Sequence, residues 1–269
     1  MGWFLPALIA TVISAGVSYV AARKAQKAAK KLASEMSGVM DNIESNIQPI
    51  PVVYGERRVG GVRVYVKTTS ADQGLKNEYL YMALVVSEGE VNSISNILID
   101  NIPISDARFT GEPGIEDNLI SYELKNGADD QTKSTLLTES SPSGWTDDHK
   151  LSGVAYIALK LKWDPNVFSS IPEVTAVVKG KKIYDPRDVA QSATDPSTWT
   201  WSDNPALCIR DYLTSERYGK GLPDTALDGP AFIQAANDCD NFVITPYSGA
   251  TTTRRLFKCN AVIDTNVEL

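Results

Sequence analysis

The sequence predicts an α+β fold: mainly antiparallel β-domains, two short helices near the C-terminus and a long apolar N-terminal helix. Three observations predict it. Residues 3–22 carry no charged side chain, and Arg23, Lys24, Lys27, Lys30 and Lys31 follow before the first acidic residue, Glu35. From about residue 48 to 190, short apolar runs alternate with period two between turn residues. After residue 190 the pattern changes to helix starts made by a capping residue and proline, and helix stops made by glycine. The expected division is 1–47, an apolar and coiled-coil-like helix; 48–190, a β-rich domain with a loop-rich insertion at about 105–150; and 191–269, an α/β domain.

The opening segment admits three readings. A secretory signal places its basic residues before the apolar run, and here they come after, so that reading fails. About twenty apolar residues suffice to cross a bilayer core of roughly 30 Å, and the trailing basic cluster favours a cytoplasmic C-terminal side. Ala10, Ser14, Ser18 and Ala22 recur every fourth residue, a small-residue face on which helices approach closely. Beyond it, Ala25, Ala29, Leu32, Met36, Val39 and Ile43 are spaced 4, 3, 4, 3, 4, an a/d seam for self-association. An amphipathic helix lying on its own domain gives the same pattern. Trp3, Phe4, Leu8, Val12, Ile13 and Val17 are the side chains that would meet lipid.

The helical pattern should end near Asn46, because Pro49 and Pro51 remove donors and push their predecessors toward extended backbone. Val62, Val64 and Val66 alternate with Arg63 and Tyr65 as a half-buried strand fed by a turn at Gly60-Gly61. Glu78 to Val86 is a second strand, closed by Ser87-Glu-Gly-Glu90. Ser93 to Asp100 is a third, with a turn at Asp100-Asn-Ile-Pro103. Residues 105–150 are polar and turn-rich, with little apolar periodicity beyond Leu119–Tyr122. Gly153 to Lys162 and Glu173 to Gly180 give two more strands. Asn204-Pro205 starts a helix that Gly219 stops, with Ala206, Ile209 and Leu213 as its expected inner face. Asp228-Gly-Pro230 starts another, with Phe232, Ala236 and Cys239 as its stripe. Arg254 to Asp264 alternates like a strand. The stop at Leu269, with no cap or tail, suggests part of a longer polypeptide or a body completed by another chain.

Composition narrows the function. The chain has 26 basic and 33 acidic residues, net −7. Residues 1–31 hold five of the basic residues and no acidic one, so the remainder is 21 against 33, net −12. Such a body cannot grip phosphates, and no sequence-specific nucleic-acid binding is expected. Cys208, Cys239 and Cys259 lack C-x-x-C spacing and give neither a disulfide framework nor a zinc site, so buried, reduced thiols made in a cytosol are expected. The one histidine, His149, sits in a polar loop. There is no G-x-S-x-G elbow and no H-E-x-x-H pair, and Gly219-Lys-Gly221 lacks phosphate-loop spacing. Acidic pairs such as Glu88/Glu90 and Asp238/Asp240 suit turns and caps. No enzyme activity, metal or cofactor is expected.

Asn204-Pro-Ala-Leu-Cys-Ile-Arg-Asp-Tyr-Leu-Thr-Ser-Glu-Arg-Tyr-Gly-Lys-Gly221 is the most distinctive block. It resembles the N-P-A-x-x-x-x-D-x-L-T-x-x-R-Y-G-x-G segment of the tail-tip hub (host-specificity, central-fibre) proteins of lambda-like long-tailed phages. Ile50-Pro-Val-Val-Tyr-Gly-Glu-Arg-Arg-Val-Gly-Gly61 and the pairing of Ala231–Asp240 with Phe257–Thr265 fit the same family, so the resemblance spans about residues 48–265. It implies a structural virion protein: a homotrimeric hub at the distal end of the tail, closing the tube and passing on the opening signal. Its partners would be the distal tail protein and other tail-tip proteins, with the tape-measure protein and the host membrane as further candidates. Asn204, Pro205, Asp211, Leu213, Arg217, Tyr218, Gly219 and Gly221 carry over as structural motif residues, none catalytic. Family members continue into fibronectin-like modules and a receptor-binding tip, so the resemblance implies a match to the hub-forming N-terminal portion alone. A membrane-anchored bacterial envelope protein and a tail-associated cell-wall hydrolase are the alternative readings.

Overall fold

The computed structural model of the chain describes residues 43–44, 49–70, 77–110, 118–247 and 250–264, all within one compact unit, Met40–Leu269. The expected seam positions Ala25, Ala29, Leu32, Met36 and Val39, and the lipid-facing positions Trp3, Phe4, Leu8, Val12, Ile13 and Val17, lie outside the described residues. The elements in chain order are β1 (Ile43–Glu44), β2 (Val52–Tyr54), β3 (Glu56–Gly60), β4 (Val62–Thr69), β5 (Tyr79–Glu88), β6 (Val91–Ile99), β7 (Ile102–Pro103) and β8 (Ile120–Lys125). Then come α1 (Thr135–Ser140), β9 (Val154–Lys162), β10 (Val174–Ile183), β11 (Thr200–Trp201), α2 (Pro205–Thr214), α3 (Gly229–Asp240), β12 (Phe242–Tyr247), β13 (Ala250–Arg255) and β14 (Ala261–Ile263).

One sheet runs β1-β4-β5-β9-β8, antiparallel except for β1 beside β4. In the second sheet β10 is central, flanked by β6, with β7 beyond, and by β3 and β11. The β5–β6 connection passes from one sheet to the other through Gly89, whose positive φ of 80° suits a residue without Cβ. Strands β5 and β9 read as nearly unbroken apolar runs because both their faces are covered. Met82, Leu84, Val86, Ile157, Leu159 and Leu161 meet Val91, Ile94, Ile99, Val174 and Val178 between the sheets. Tyr81, Ala83, Val85, Tyr156 and Ala158 face the other way, under Leu136 and Leu137 of α1 and Trp145. A third core joins Val52 and Tyr54 of β2 and Ile183 of β10 to Ala206, Leu207 and Cys208 of α2 and Ala236 of α3.

Four expectations need correction. At Ile43 the backbone is extended: Ile43 lies opposite Val62, pairing an edge of β4 that would otherwise expose a row of backbone groups. The helical pattern expected as far as Asn46 therefore does not hold there. In β4 the alternation breaks at a register shift between Arg63 and Tyr65, which leaves Val64 exposed while Tyr65 and Val66 pack on opposite cores. The segment 105–150 is more than loop. It supplies β8 and α1, and the Glu123 carboxylate on β8 accepts hydrogen bonds from the Thr135 and Leu136 amides at 3.2 and 3.0 Å, adding to the Ser134 cap of α1. Finally, Arg254–Asp264 is two short strands. The Phe257 and Cys259 amides donate to the Cys239 and Asp203 carbonyls, which takes that stretch out of any ladder. Arg254 and Arg255 are the end of β13, which pairs with β12 in a hairpin that the sequence reading missed.

Candidate functional site

The family-like block folds into the helical layer over the third core. Asn204 caps α2: its Oδ1 accepts from the Ala206 and Leu207 amides at 3.0 and 3.4 Å, and its Nδ2 donates to the Ala236 carbonyl of α3 at 2.8 Å. One buried amide thus starts one helix and ties it to the next. Pro205 at the first helical position is pre-set for the turn. The expected inner face of α2 is wrong in one residue. Ile209 is 55% exposed, whereas Leu207, Arg210 and Asp211, spaced i, i+3 and i+4, are buried.

Asp211 is the centre of the site. Its Oδ2 accepts from the hydroxyls of Tyr54 at 2.5 Å and Tyr218 at 2.6 Å, and its Oδ1 accepts from Lys181 Nζ at 3.3 Å. Lys181 also donates to the Tyr218 hydroxyl and lies 4.6 Å above the Tyr218 ring. A single carboxylate therefore joins β2, β10, α2 and the turn after α2. Burial pushes the Tyr54 and Tyr218 hydroxyls far up, and the negative charge of Asp211 adds to this, so both stay neutral donors. Each polar atom of this cluster has a partner. Such a network holds segments together and leaves no free base or nucleophile.

The turn itself depends on the two motif glycines. A Cβ on Gly219 would lie 1.8 Å from the Tyr212 carbonyl oxygen, and Gly221 has φ of 63°. The Lys220 and Leu222 amides donate back to the Tyr212 and Leu213 carbonyls at 3.1 and 2.9 Å, so half-buried Leu213 contributes its backbone as much as its side chain. The turn aims Arg217 outward, where its Nε lies 2.8 Å from the buried Glu88 carboxylate at the end of β5. The Glu88 amide donates to the Pro51 carbonyl at 2.8 Å, so this ion pair also reaches the lead-in to β2. Burial raises the Glu88 carboxyl above its ordinary range, while Arg217 and Lys181 pull it back. A cleft of about 340 Å³ opens here, lined by Glu88, Glu90, Asp129, Lys181, Trp199 and Arg217.

All eight motif positions lie in this one layer. The sequence reading missed Tyr54, Lys181, Glu88 and Trp199. Tyr54 had a signal, since it sits in a second family-like block; the other three stand in strands or loops whose alternation conceals a partner. Among the described residues, no group of three or more His, Cys, Asp or Glu is placed to hold a metal ion, and no helix is long and apolar enough to cross a membrane.

No protein-family model matches the chain. The chain is similar to the baseplate hub protein pb3 of Escherichia phage T5, with 24% identity over 226 residues, 64% of this chain and 23% of that protein. It is also similar to the tip attachment protein J of Escherichia phage SECphi4, with 34% identity over 94 residues, 32% of this chain and 8% of that protein. The chain thus spans less than a quarter of either relative's length. A solved structure of the virion of a native gene transfer agent particle covers 72% of this chain, which covers 37% of that one. There the identity is 18% and the TM-score 0.39, too low to establish a shared fold. Together with the ordered motif blocks, the two sequence similarities support a phage tail-tip or hub protein, located in the virion tail.

Proposed function

We propose that the chain is the body of a homotrimeric tail-tip hub that closes the tail tube and takes part in host attachment, tube opening and DNA delivery. Similarity to a baseplate hub protein and a tip attachment protein carries the reading. The Asp211 network supports a structural role, because its donors and acceptors are matched to one another and none is left for chemistry. Three bodies continue the tube beneath the distal tail protein. Their N-terminal segments, associating through Ala25, Ala29, Leu32, Met36 and Val39, bundle in the lumen and are released to the host envelope when the receptor is engaged. The decisive observation is symmetry: particle images or a cross-linking ladder should show three copies per tip, and two or six would sink the trimer. For the N-terminal segment, Val12→Asp combined with Val17→Lys should leave particles assembled but block DNA ejection. Normal infectivity of that double variant removes the release step.

One feature favours a second reading, a membrane-anchored envelope protein: the uncharged run at residues 3–22 with its basic flank. Expression without other phage proteins, followed by membrane fractionation, separates the two. Recovery solely as an integral membrane protein favours the anchor. A clear band on a peptidoglycan zymogram would instead restore the hydrolase.

A further inference from the structure

The cleft of about 340 Å³ beside the motif turn has a floor of bare backbone, where Gly89, Gly127 and Gly153 meet, all at positive φ. At Gly127 the glycine is a packing need, since a Cβ would lie 2.6 Å from the Gly89 carbonyl oxygen and 2.9 Å from the Ala155 amide nitrogen. Gly153 differs. Outside its own chain neighbours, the atoms nearest to where its Cβ would stand are Arg217 Nη1 at 3.5 Å and Asp129 Oδ1 at 3.8 Å. A space of about one atom is thus shared by a cationic donor and an anionic acceptor. Its surroundings are fixed: the Gly89 amide donates to the Gly153 carbonyl at 2.8 Å, and Ser152 Oγ donates to the Asp129 carbonyl at 2.8 Å. The other charges around the cleft are matched in pairs, Glu88 with Arg217 Nε at 2.8 Å, Glu90 with Lys182 at 2.5 Å and Lys181 with Asp211 at 3.3 Å. Trp199 stands in the wall, its ring held by a hydrogen bond from Nε1 to the Ser192 carbonyl at 2.8 Å.

We propose that this cleft binds one ring of a neutral saccharide, with a hydroxyl lodged over Gly153 between Arg217 and Asp129. The ligand class follows from the two flanking groups. A guanidinium donates and cannot accept, whereas a carboxylate accepts and cannot donate. A group seated between them must do both. A hydroxyl does, having one donor and two acceptor lone pairs. A ligand carboxylate would be set against Asp129, and a ligand ammonium against Arg217. The paired charges around the cleft add no net pull toward an ion of either sign. The volume stands at the low end of the range for small-molecule sites, roughly 300–1,000 Å³, which suits one ring and not a chain. A sugar ring also carries a C–H face, and Trp199 supplies the apolar surface for it. Because the floor and the Trp199 ring are held by the protein itself, little ordering is left to oppose binding. That the sugar belongs to the host surface rests on the tail-tip reading; the binding does not.

Saturation-transfer NMR on the purified full chain tests it. The probes are the methyl glycosides of glucose, galactose and N-acetylglucosamine at millimolar concentrations, where a ligand of one ring binds. The expected result is transfer to at least one of the three. Asp129→Ala should weaken that binding about tenfold or more, the worth of one hydrogen bond to a charged group. Glucuronate and glucosamine, which put a carboxylate or an ammonium on the same ring, should bind less tightly than the neutral glycoside. Asp129 is exposed, so its truncation leaves the cores intact. Arg217→Ala strips the buried Glu88 of its partner and need not fold; Arg217→Lys keeps the charge, loses the planar fork and should also weaken binding. No transfer to any of the three glycosides overturns the proposal. So does equal binding by the parent and Asp129→Ala, or tighter binding of a charged sugar. The number of copies per tip, which tests the tail-tip reading, does not enter this titration, so the two fail separately.

Discussion

Single side chains in the helical layer carry charge into places where charge is costly, and their partners decide the sign. Asp211 is buried with Lys181 as its ion partner and two tyrosine hydroxyls as donors. Removing one member of such a set leaves the others desolvated and unpaired, at a cost of about 3–5 kcal/mol. Asp211→Ala should therefore lower the unfolding free energy measured by urea titration by that much; a loss within the range of an ordinary surface substitution would show that the network holds nothing. Glu88 behaves oppositely. Burial is the largest influence on it and outweighs Arg217, so its folded carboxyl titrates above the unfolded one. A raised carboxyl contributes stability that is fully present below the unfolded value and lost as pH rises through the folded one. Glu88→Gln removes that penalty. The variant should be more stable than the parent at pH 7, with the difference vanishing as pH falls below the ordinary value of 4.5. Urea midpoints across pH decide it, and a variant less stable at pH 7 would mean that the Arg217 pair outweighs burial.

Among the elements, α2 shows how a short sequence signal becomes architecture. Asn204→Ala loses a cap worth about 1 kcal/mol and leaves the buried Ala236 carbonyl without its side-chain donor, about 1–3 kcal/mol more. A measured loss near the cap value alone would mean that the tie to α3 adds nothing. The same elements explain what was legible in the sequence. Strands β5, β6, β9 and β10 were readable to within a few residues, because their apolar runs are bounded by turn residues such as Asp100-Asn101, both at positive φ. The starts of α2 and α3 were readable because cap and proline are adjacent in sequence. The face of α2 was not. Its buried stripe includes Arg210 and Asp211, and a polar face looks solvent-exposed unless Tyr54, 157 residues away, is known to meet it. For the same reason Lys181 and Glu88 read as ordinary strand and turn charges. The β12–β13 hairpin was missed because Pro246 interrupts its first strand. Strand β8 was missed because it alternates a buried Ile120 with exposed and half-buried residues.

At the scale of the whole described body, two elements prevent the cores from being independent. Strand β2 places Val53 in the core between the sheets and Val52 and Tyr54 in the helical core. Strand β10 sends Val174, Ala176 and Val178 into the first and Ile183 into the third. The close passage of these strands requires Gly180, where a Cβ would lie 2.0 Å from the Val53 carbonyl oxygen. The border expected at residue 190 is therefore crossed by two strands that each serve two cores, and opening one core strips apolar surface from the other. Cooperative unfolding follows. Leu207 is fully buried in α2, so Leu207→Ala should cost about 2–5 kcal/mol. If the body unfolds as one unit, native-state hydrogen exchange should speed up by the same factor in α2 and in β5 and β9, whose buried side chains belong to the other two cores. Faster exchange confined to α2 and α3, with Met82–Val86 unchanged, would divide the body into two foldons. The hub would then have a helical layer able to open while its sheets stay closed.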